Sequence, residues 1–282
     1  MSLKPSGGTF FVVATPIGHL GDISRRMCEV LSQVATLYAE DTRRTSVLLE
    51  HIGVRTPLRS LHEHNERGRI QEVLQLLQEG KDVALVSDAG TPVVSDPGAS
   101  VVCAVADAGY KVCPVPGASA LACALSVCGF EAKHVLFEGF LPHKGAELNK
   151  AVEKVMLHEG VVVFFESPHR VAHTLGLLAQ HSPSRRVCVC RELTKMHEET
   201  VRGVLQEVAA WALNTQVQGE ITVVLESPEP QEKMAPEDAD VQHALKRCMQ
   251  AGLSARDAVD AVAAVLQLPR RHVYQHMLLV QA

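Results

Sequence analysis

The sequence predicts an α/β protein of two sheet-containing domains with mostly parallel or mixed sheets, followed by a small helical module of helix-turn-helix type. Three observations carry this. Short apolar runs with the composition of buried strands alternate with helical patterns from residue 9 to residue 226. A Pro- and acid-rich stretch then breaks the alternation, and three short helical patterns with tight turns follow it.

In chain order, the unbroken apolar run 9–14 reads as a strand, 23–33 as a helix and 34–39 as a strand. Residues 45–51 are helical, and 67–78 form an amphipathic helix with Ile70, Val73, Leu74 and Leu77 on one stripe. A buried strand is expected over 83–87, a helix over 99–108 ended by Gly109, a strand over 111–115 and a helix over 118–127. The second series runs strand 134–138, helix 146–157, strand 161–166, helix 169–179, strand 186–191, helix 203–212 and strand 220–226. The domains are therefore drawn as 1–129 and 130–228, divided at the turn 129–133. A linker is expected over 229–240 and the helical tail over 241–282, with helices at 241–250, 255–266 and 270–280. Ser254 has the place of an N-cap, with Asp257 three residues on, and Pro269 suits the first turn of the last helix.

Composition bounds the function. The chain has 282 residues and a net charge of −5, of which −4 sits in the segment 229–240. The remainder is close to neutral, which argues against a strongly basic nucleic-acid surface. Arg43, Arg44, Arg55, Arg59, Arg67 and Arg69 crowd one stretch, either as a local basic patch or as a solvated surface. No apolar stretch approaches the ~18 residues of a membrane span, and 10–14 is too short for a secretory h-region. A cytoplasmic protein with no membrane partner is expected. Eight cysteines lack CxxC spacing and mostly lie in apolar segments, so they read as reduced core residues, with Cys188 and Cys190 on one strand face.

Three loops follow strands and are rich in Gly or Pro: 15–22 (TPIGHLGD), 87–98 (SDAGTPVVSDPG) and 114–120 (PVPGASA). In open α/β sheets ligands bind beyond the carboxyl ends of strands. No GxGxxG follows the first strand and no GxxxxGK[ST] occurs. Asp88 and Asp96 would repel a pyrophosphate and suit hydroxyls, amines or a cation; they also suit plain turn-capping.

The stretches TPIGHLGDI (15–23), AEDTRRT (39–45), HEHNE (62–66), SDAGTPVVSDPG (87–98), VPGASA (115–120), FEGFLPHKG (137–145), FESPHR (165–170), RELTKMHEE (191–199) and GEITVVLE (219–226) occur in that order. Together they resemble the tetrapyrrole-methylase superfamily, the class III S-adenosylmethionine (SAM)-dependent methyltransferases. Within it they are most similar to the bacterial branch that 2′-O-methylates a cytidine of the small-subunit (16S) rRNA. The C-terminal helices resemble the helix-turn-helix tail of that branch. The segment after Lys144 (GAELNKAVEK) holds fewer arginines than the family pattern, and Gly129-Phe130 replaces its Leu-Pro-type turn.

The resemblance implies SAM as cofactor, a homodimer, and small-subunit rRNA in the assembled subunit as partner. It implies SAM contacts at Pro16, at Asp88, Ala89, Gly90, Thr91, Asp96, Pro97 and Gly98, at Pro116, Gly117, Ser119 and Ala120, and at Phe165 and Thr222. Arg43, Arg44, Lys144 and Arg170 are the expected RNA contacts, Arg170 standing either there or at the domain interface. A ribose hydroxyl needs a placed base. Glu40, Asp41, His62, His64 and Lys195 are the candidates, with Glu40, Asp41, His64 and Lys195 taken as the catalytic set. Asp41 either orients the hydroxyl or an arginine, or caps a turn; Lys195 either positions phosphate or pairs with Glu192 or Glu198. His62 and His64 lack a third ligand nearby, so no metal is expected. Two other functions stay open: methylation of a corrin or porphyrin precursor, and DNA binding through the tail, whose few cations (Lys246, Arg247, Arg256, Arg270, Arg271) allow only weak duplex binding.

Overall fold

The computed structural model describes residues 7–62, 64–229, 238–266 and 268–281. Two compact units divide the chain, 1–228 and 229–282. Most of the expected linker, 230–237, lies outside the described residues.

The first unit opens with β1 (Thr9–Val13), a short 3-10 turn (Leu20–Asp22), α1 (Arg25–Gln33), β2 (Thr36–Ala39), α2 (Thr42–His51), β3 (Leu58–Ser60), α3 (Glu66–Gln78), β4 (Val83–Val86), α4 (Ala99–Asp107), β5 (Lys111–Val115) and α5 (Ala120–Cys128). Its sheet has the order β3-β2-β4-β1-β5, and every pairing is parallel. β2 and β4 are buried along their whole length, because helices cover both faces. On one face Met27 and Leu31 of α1 and Leu49 of α2 meet Leu37 and Val86. On the other, Val73 and Leu77 of α3 and Val101 and Val105 of α4 meet Phe10, Tyr38 and Leu85. Each large apolar side chain so buried contributes about 1.5–3 kcal/mol.

The second half adds β6 (Val135–Phe140), α6 (Gly145–Leu157), β7 (Val161–Glu166), α7 (Val171–His181), β8 (Arg186–Arg191), β9 (Glu199–Val204), α8 (Leu205–Asn214) and β10 (Ile221–Leu225). The sheet order is β6-β7-β10-β8-β9. Only β6 and β7 run parallel; the other three pairings are antiparallel. The mixed sheet is still covered on both faces. Helices α6, α7 and α8 fill one face through Val152, Leu175 and Val208. Ala124 and Cys128 of α5 fill the other, against Val163, Cys188 and Val224. A helix that leaves the first sheet thus roofs the second, and the carboxyl end of the first sheet faces the same space as the end of β7 and the start of β10.

All eight cysteines are free thiols. Cys188 and Cys190 do share one buried face, with sulfurs 3.7 Å apart. The pairing raises the Cys188 thiol's pKa, with burial adding to the effect.

The tail unit is a trihelical bundle of α9 (Asp238–Gln250), α10 (Ala255–Leu266) and α11 (Arg270–Gln281) around Val241, Leu245, Val259, Val262, Val273 and Met277. Ser254 caps α10 as expected: the Asp257 N–H donates to its hydroxyl at 3.2 Å, and the hydroxyl donates to the Asp257 carboxylate at 2.7 Å. No helix among the described residues is long and apolar enough to cross a membrane.

Candidate active site

A cleft of about 350 Å³ opens where the two sheets meet. The first sheet supplies the loop after β4, the start of α5 and Arg44 of α2; the second supplies Phe140, the end of β7 and the start of β10.

The loop after β4 is held from several sides. Thr15 and Gly90 exchange two backbone bonds (2.9 and 3.1 Å), tying it to the loop after β1. The Thr91 hydroxyl donates to Ala118 O (3.2 Å) and the Ser87 hydroxyl to Gly90 O (3.3 Å). Val93 and Ser95 both adopt left-handed backbone, φ 74° and 65°. For β-branched Val93 this conformation costs on the order of 1–2 kcal/mol, which the surrounding bonds must sustain. Gly90 (φ 80°) takes the same region without cost, with its N–H and C=O both bonded to Thr15. On the opposite wall Gly219 (φ 87°) is obligatory for a second reason, since a Cβ there would strike the Glu192 carboxyl.

The Glu66 carboxylate, at the start of α3, accepts from Gly98 N (3.1 Å) and Ser100 N (3.0 Å). It fixes the far end of the loop by capping α4, whose own N-cap, Gly98, has no side chain to do so. Glu66→Ala is expected to cost about 1–2 kcal/mol of unfolding free energy by chemical denaturation.

One corner of the site is acidic. Asp88 accepts from Asp41 N (2.9 Å) and pairs with Arg44 (3.3 Å). Burial raises the Glu40 pKa, as does the Asp88 charge, while Arg44 pulls it down. Asp96 is pushed up to about 6, first by burial and then by the Glu40 charge, against a hydrogen bond from Ser87. The folded state therefore holds the Asp96 proton more tightly than the unfolded chain. Stability is lost as pH rises from the ordinary aspartate range through about 6. Asp96→Asn is expected to stabilise the protein above that window, by on the order of 1 kcal/mol after solvent screening, and to change nothing in strong acid. Denaturation midpoints at the two pH extremes read this out.

The opposite corner is aromatic. Phe165 stands edge-on to Phe137 (ring centroids 5.1 Å) and tilted against Phe140 (5.5 Å). Phe140 is 61% exposed and lines the cleft, so a ring surface is left open to a flat partner. A register shift between Phe137 and Phe140, with Gly139 at φ 62°, turns β6 there.

Of the expected cofactor contacts, Asp88, Ala89, Gly90 and Thr91 line the cleft together with Asp96, Ser119, Ala120, Phe165 and Thr222. Pro16, Pro97, Gly98, Pro116 and Gly117 fall outside the lining. Gly98 is used in capping α4, and Gly117 lies so close to Ala14 that a Cβ would sit 3.0 Å from the alanine Cβ. Both serve the loops from behind. The wall also contains Phe140, Glu166, Gly219 and Glu220, which the sequence reading did not single out.

The charged candidates separate. Glu40 does not line the cleft itself; it interacts with Asp88, Asp96 and Arg44, which do. Asp41 caps α2 through Arg43 N (2.9 Å) and grips the Arg43 guanidinium (2.7 Å), which holds its pKa far below the usual range. Arg44 reaches the cleft, and Arg43 stays at the exposed side of Asp41. His64 is exposed and meets His62 edge-on at 6.0 Å. Burial works against the Lys195 ammonium, but its bonds to Glu192 (2.9 Å) and Glu220 (3.0 Å) outweigh it and raise the pKa. Lys195 is thus an ion-pair member, with Glu192, one of its two expected partners, and with Glu220, which lines the cleft. Lys144 is exposed before α6. Arg170, expected either at the RNA or at the domain interface, is engaged within the second half of the chain. Its guanidinium turns inward to Glu166 (3.3 Å), Leu141 O (3.1 Å) and Pro142 O (2.8 Å), because the buried Glu166 carboxylate needs a counter-charge.

The cofactor implied by the resemblance can be tested against this lining. A nucleoside with a sulfonium carries a flat base, a diol and positive charge. The cleft offers an open aromatic ring, the start of α5 at Ser119 and Ala120, and carboxylates at Asp88 and Asp96. The donor set fits.

Comparison with known proteins identifies the family. A family model described as "Tetrapyrrole (Corrin/Porphyrin) Methylases" matches residues 9–209, and one described as "RsmI C-terminal HTH domain" matches 235–280. The chain is 40% identical over 276 residues to the "Ribosomal RNA small subunit methyltransferase I" of Synechocystis sp., covering 98% of this chain and 99% of that one. The protein of the same name from Thermotoga maritima is 44% identical over 222 residues, covering 79% and 100%. That of Escherichia coli O157:H7 is 37% identical over 280 residues, covering 98% and 97%. Among solved structures, a cobalt precorrin-4 methyltransferase matches with TM-score 0.59 at 14% identity, covering 77% of this chain and 94% of that one. A uroporphyrin-III-C-methyltransferase from Thermus thermophilus matches with TM-score 0.55 at 17% identity, covering 78% and 94%. These two likenesses concern the fold alone.

Proposed function

The chain belongs to the tetrapyrrole methylase family and is a SAM-dependent methyltransferase, and we propose that it methylates the ribose 2′-hydroxyl of a cytidine in small-subunit rRNA within the assembled subunit. One observation carries the choice of substrate. Proteins named as small-subunit rRNA methyltransferases match nearly the whole chain, tail included, whereas the two solved tetrapyrrole methyltransferases, at 14% and 17% identity, match only in fold. The enzyme works in the cytoplasm and as a homodimer, as the resemblance implies.

When bound, the cofactor supplies a methyl group on a positively charged sulfur. The chain's own residues do the rest. Backbone at Ser119 and Ala120 and the Thr222 side chain would hold the nucleoside, with Phe140 and Phe165 against its base. Asp88 and Asp96 favour the positive charge. Glu40 would take the proton of the ribose 2′-hydroxyl, its raised pKa making it a stronger base than an ordinary carboxylate. Arg44, its side chain 68% exposed beside Asp88, is placed for an RNA phosphate. Much of the acceleration comes from holding hydroxyl and methyl in line.

The test offers the purified protein labelled SAM with assembled small subunits lacking the modification, with protein-free small-subunit RNA, or with a carboxylated tetrapyrrole. Label is expected in the subunit, as a methylated ribose. Label entering only the tetrapyrrole would reject the substrate and keep the family.

A further inference from the structure

We propose that Asp238, His272 and His276 in the tail unit bind a divalent transition-metal ion, with zinc as the probe of choice. Asp238 opens α9, while His272 and His276 stand one turn apart on α11, so their rings share a face. One ligand atom from each lies within 4.8 Å of the others, and among the described residues this is the one such trio. Asp238 Oδ1 is 3.2 Å from His276 Nε2 and 3.9 Å from His272 Nε2. The two rings meet edge-on, with centroids 4.8 Å apart. Tetrahedral zinc with bonds of about 2.0–2.1 Å needs ligand atoms roughly 3.3 Å apart. The first distance already matches; the His272 nitrogen has to move in from 3.9 Å of the carboxylate, all three ligand atoms now lying within 4.8 Å of one another.

An ion pair alone explains less. It satisfies His276, but 3.9 Å is too long for a hydrogen bond from His272 to the carboxylate. The His276 side chain is only 8% exposed, and its Nδ1 is buried with no protein partner. The ring is therefore anchored at one corner, the Nε2 that points at Asp238. The Asp238 side chain is 72% exposed, which leaves room on the solvent side for a water as fourth ligand. Two imidazoles and one carboxylate suit zinc and its neighbours in the first row, whereas magnesium and calcium prefer all-oxygen sets.

The bundle gives such a site a purpose. Its small core is made mainly of Val, Leu and Ala, and units of this size gain stability from a staple. An ion there would tie the start of α9 to the N-terminal half of α11.

The experiment uses the full chain, freed of metal by a chelator and kept reduced by a phosphine. Zinc is titrated against a chromophoric chelator for the unchanged protein, His272→Ala and Asp238→Ala, both on the exposed side of the trio. His276→Ala is avoided because that ring is part of the packed interior. The unchanged protein should take up one equivalent that each variant loses or binds at least about tenfold more weakly. Cobalt in the same site should give weak visible bands without thiolate charge transfer. Equal uptake by all three proteins, no uptake by the unchanged one, or a thiolate band would overturn the proposal. None of these readouts depends on methyl transfer, so the site stands or falls apart from the catalytic reading.

Discussion

Glu40→Gln is expected to slow methyl transfer by about 10²–10⁴-fold while SAM affinity stays within roughly threefold of the unchanged protein. Glutamine keeps the shape at the end of β2 and removes only the basic oxygen. The side chain sits where the Asp88 charge and burial raise its proton affinity, and where Arg44 moderates the effect. A base must be deprotonated to act, so the single-turnover rate should fall on acidification. The fall should begin at a higher pH than for an ordinary glutamate, and the variant should lack that limb of the profile. Asp96 titrates nearby, at about 6; the Asp96→Asn protein separates the two, because only Glu40→Gln should remove the limb. A single-turnover rate unchanged in Glu40→Gln would remove Glu40 from the chemistry.

Arg170→Met is expected to cost about 3 kcal/mol of stability. Its Glu166 partner has a fully buried side chain. That carboxylate would keep the Ser167 N–H and the Thr174 hydroxyl, each at 2.7 Å, but would lose its only cationic partner among the described ion pairs. The same guanidinium also ties down the carbonyls of Leu141 and Pro142 and contacts His143, so the β6–α6 turn loosens with it. Adding Glu166→Gln should recover part of the loss, since the stranded charge is then gone. Denaturation of the two proteins measures both terms. A loss within about 0.5 kcal/mol for Arg170→Met would mean the pair contributes nothing, and would reopen Arg170 as a surface contact.

Much of this architecture could be read from the residues. Runs such as 83–86 and 161–166 are apolar at every position or nearly so, and only a covered sheet uses them. Strands β3 and β9 escaped. The first has three residues, with Arg59 at its centre; the second is an edge strand whose polar ETVRGV hides its pairing with β8. The antiparallel pairings of the second sheet follow from long-range topology, which no local pattern encodes.

The site divides in the same way. The loop after β4 announces itself through Gly, Pro and Asp, and most of its expected contacts line the cleft. Phe140, Glu166 and Gly219 come from the other sheet, and their place depends on how the sheets meet. Nothing in a valine forecasts the left-handed backbone of Val93, since side-chain chemistry argues against it. Charge was the least legible. Arg44 and Arg170 look alike in the sequence, yet one reaches the cleft and the other neutralises a buried acid. The His272 and His276 spacing was visible, but its third member lies on another helix.

A crystal of the protein grown with S-adenosylhomocysteine tests the central claim most directly. The nucleoside should lie in the cleft between the two sheets, in contact with Gly90, Ala120 and Thr222, with its sulfur on the side of Asp88 and Glu40. Density for it at any other place, or a cleft left empty at saturating ligand, would contradict the claim.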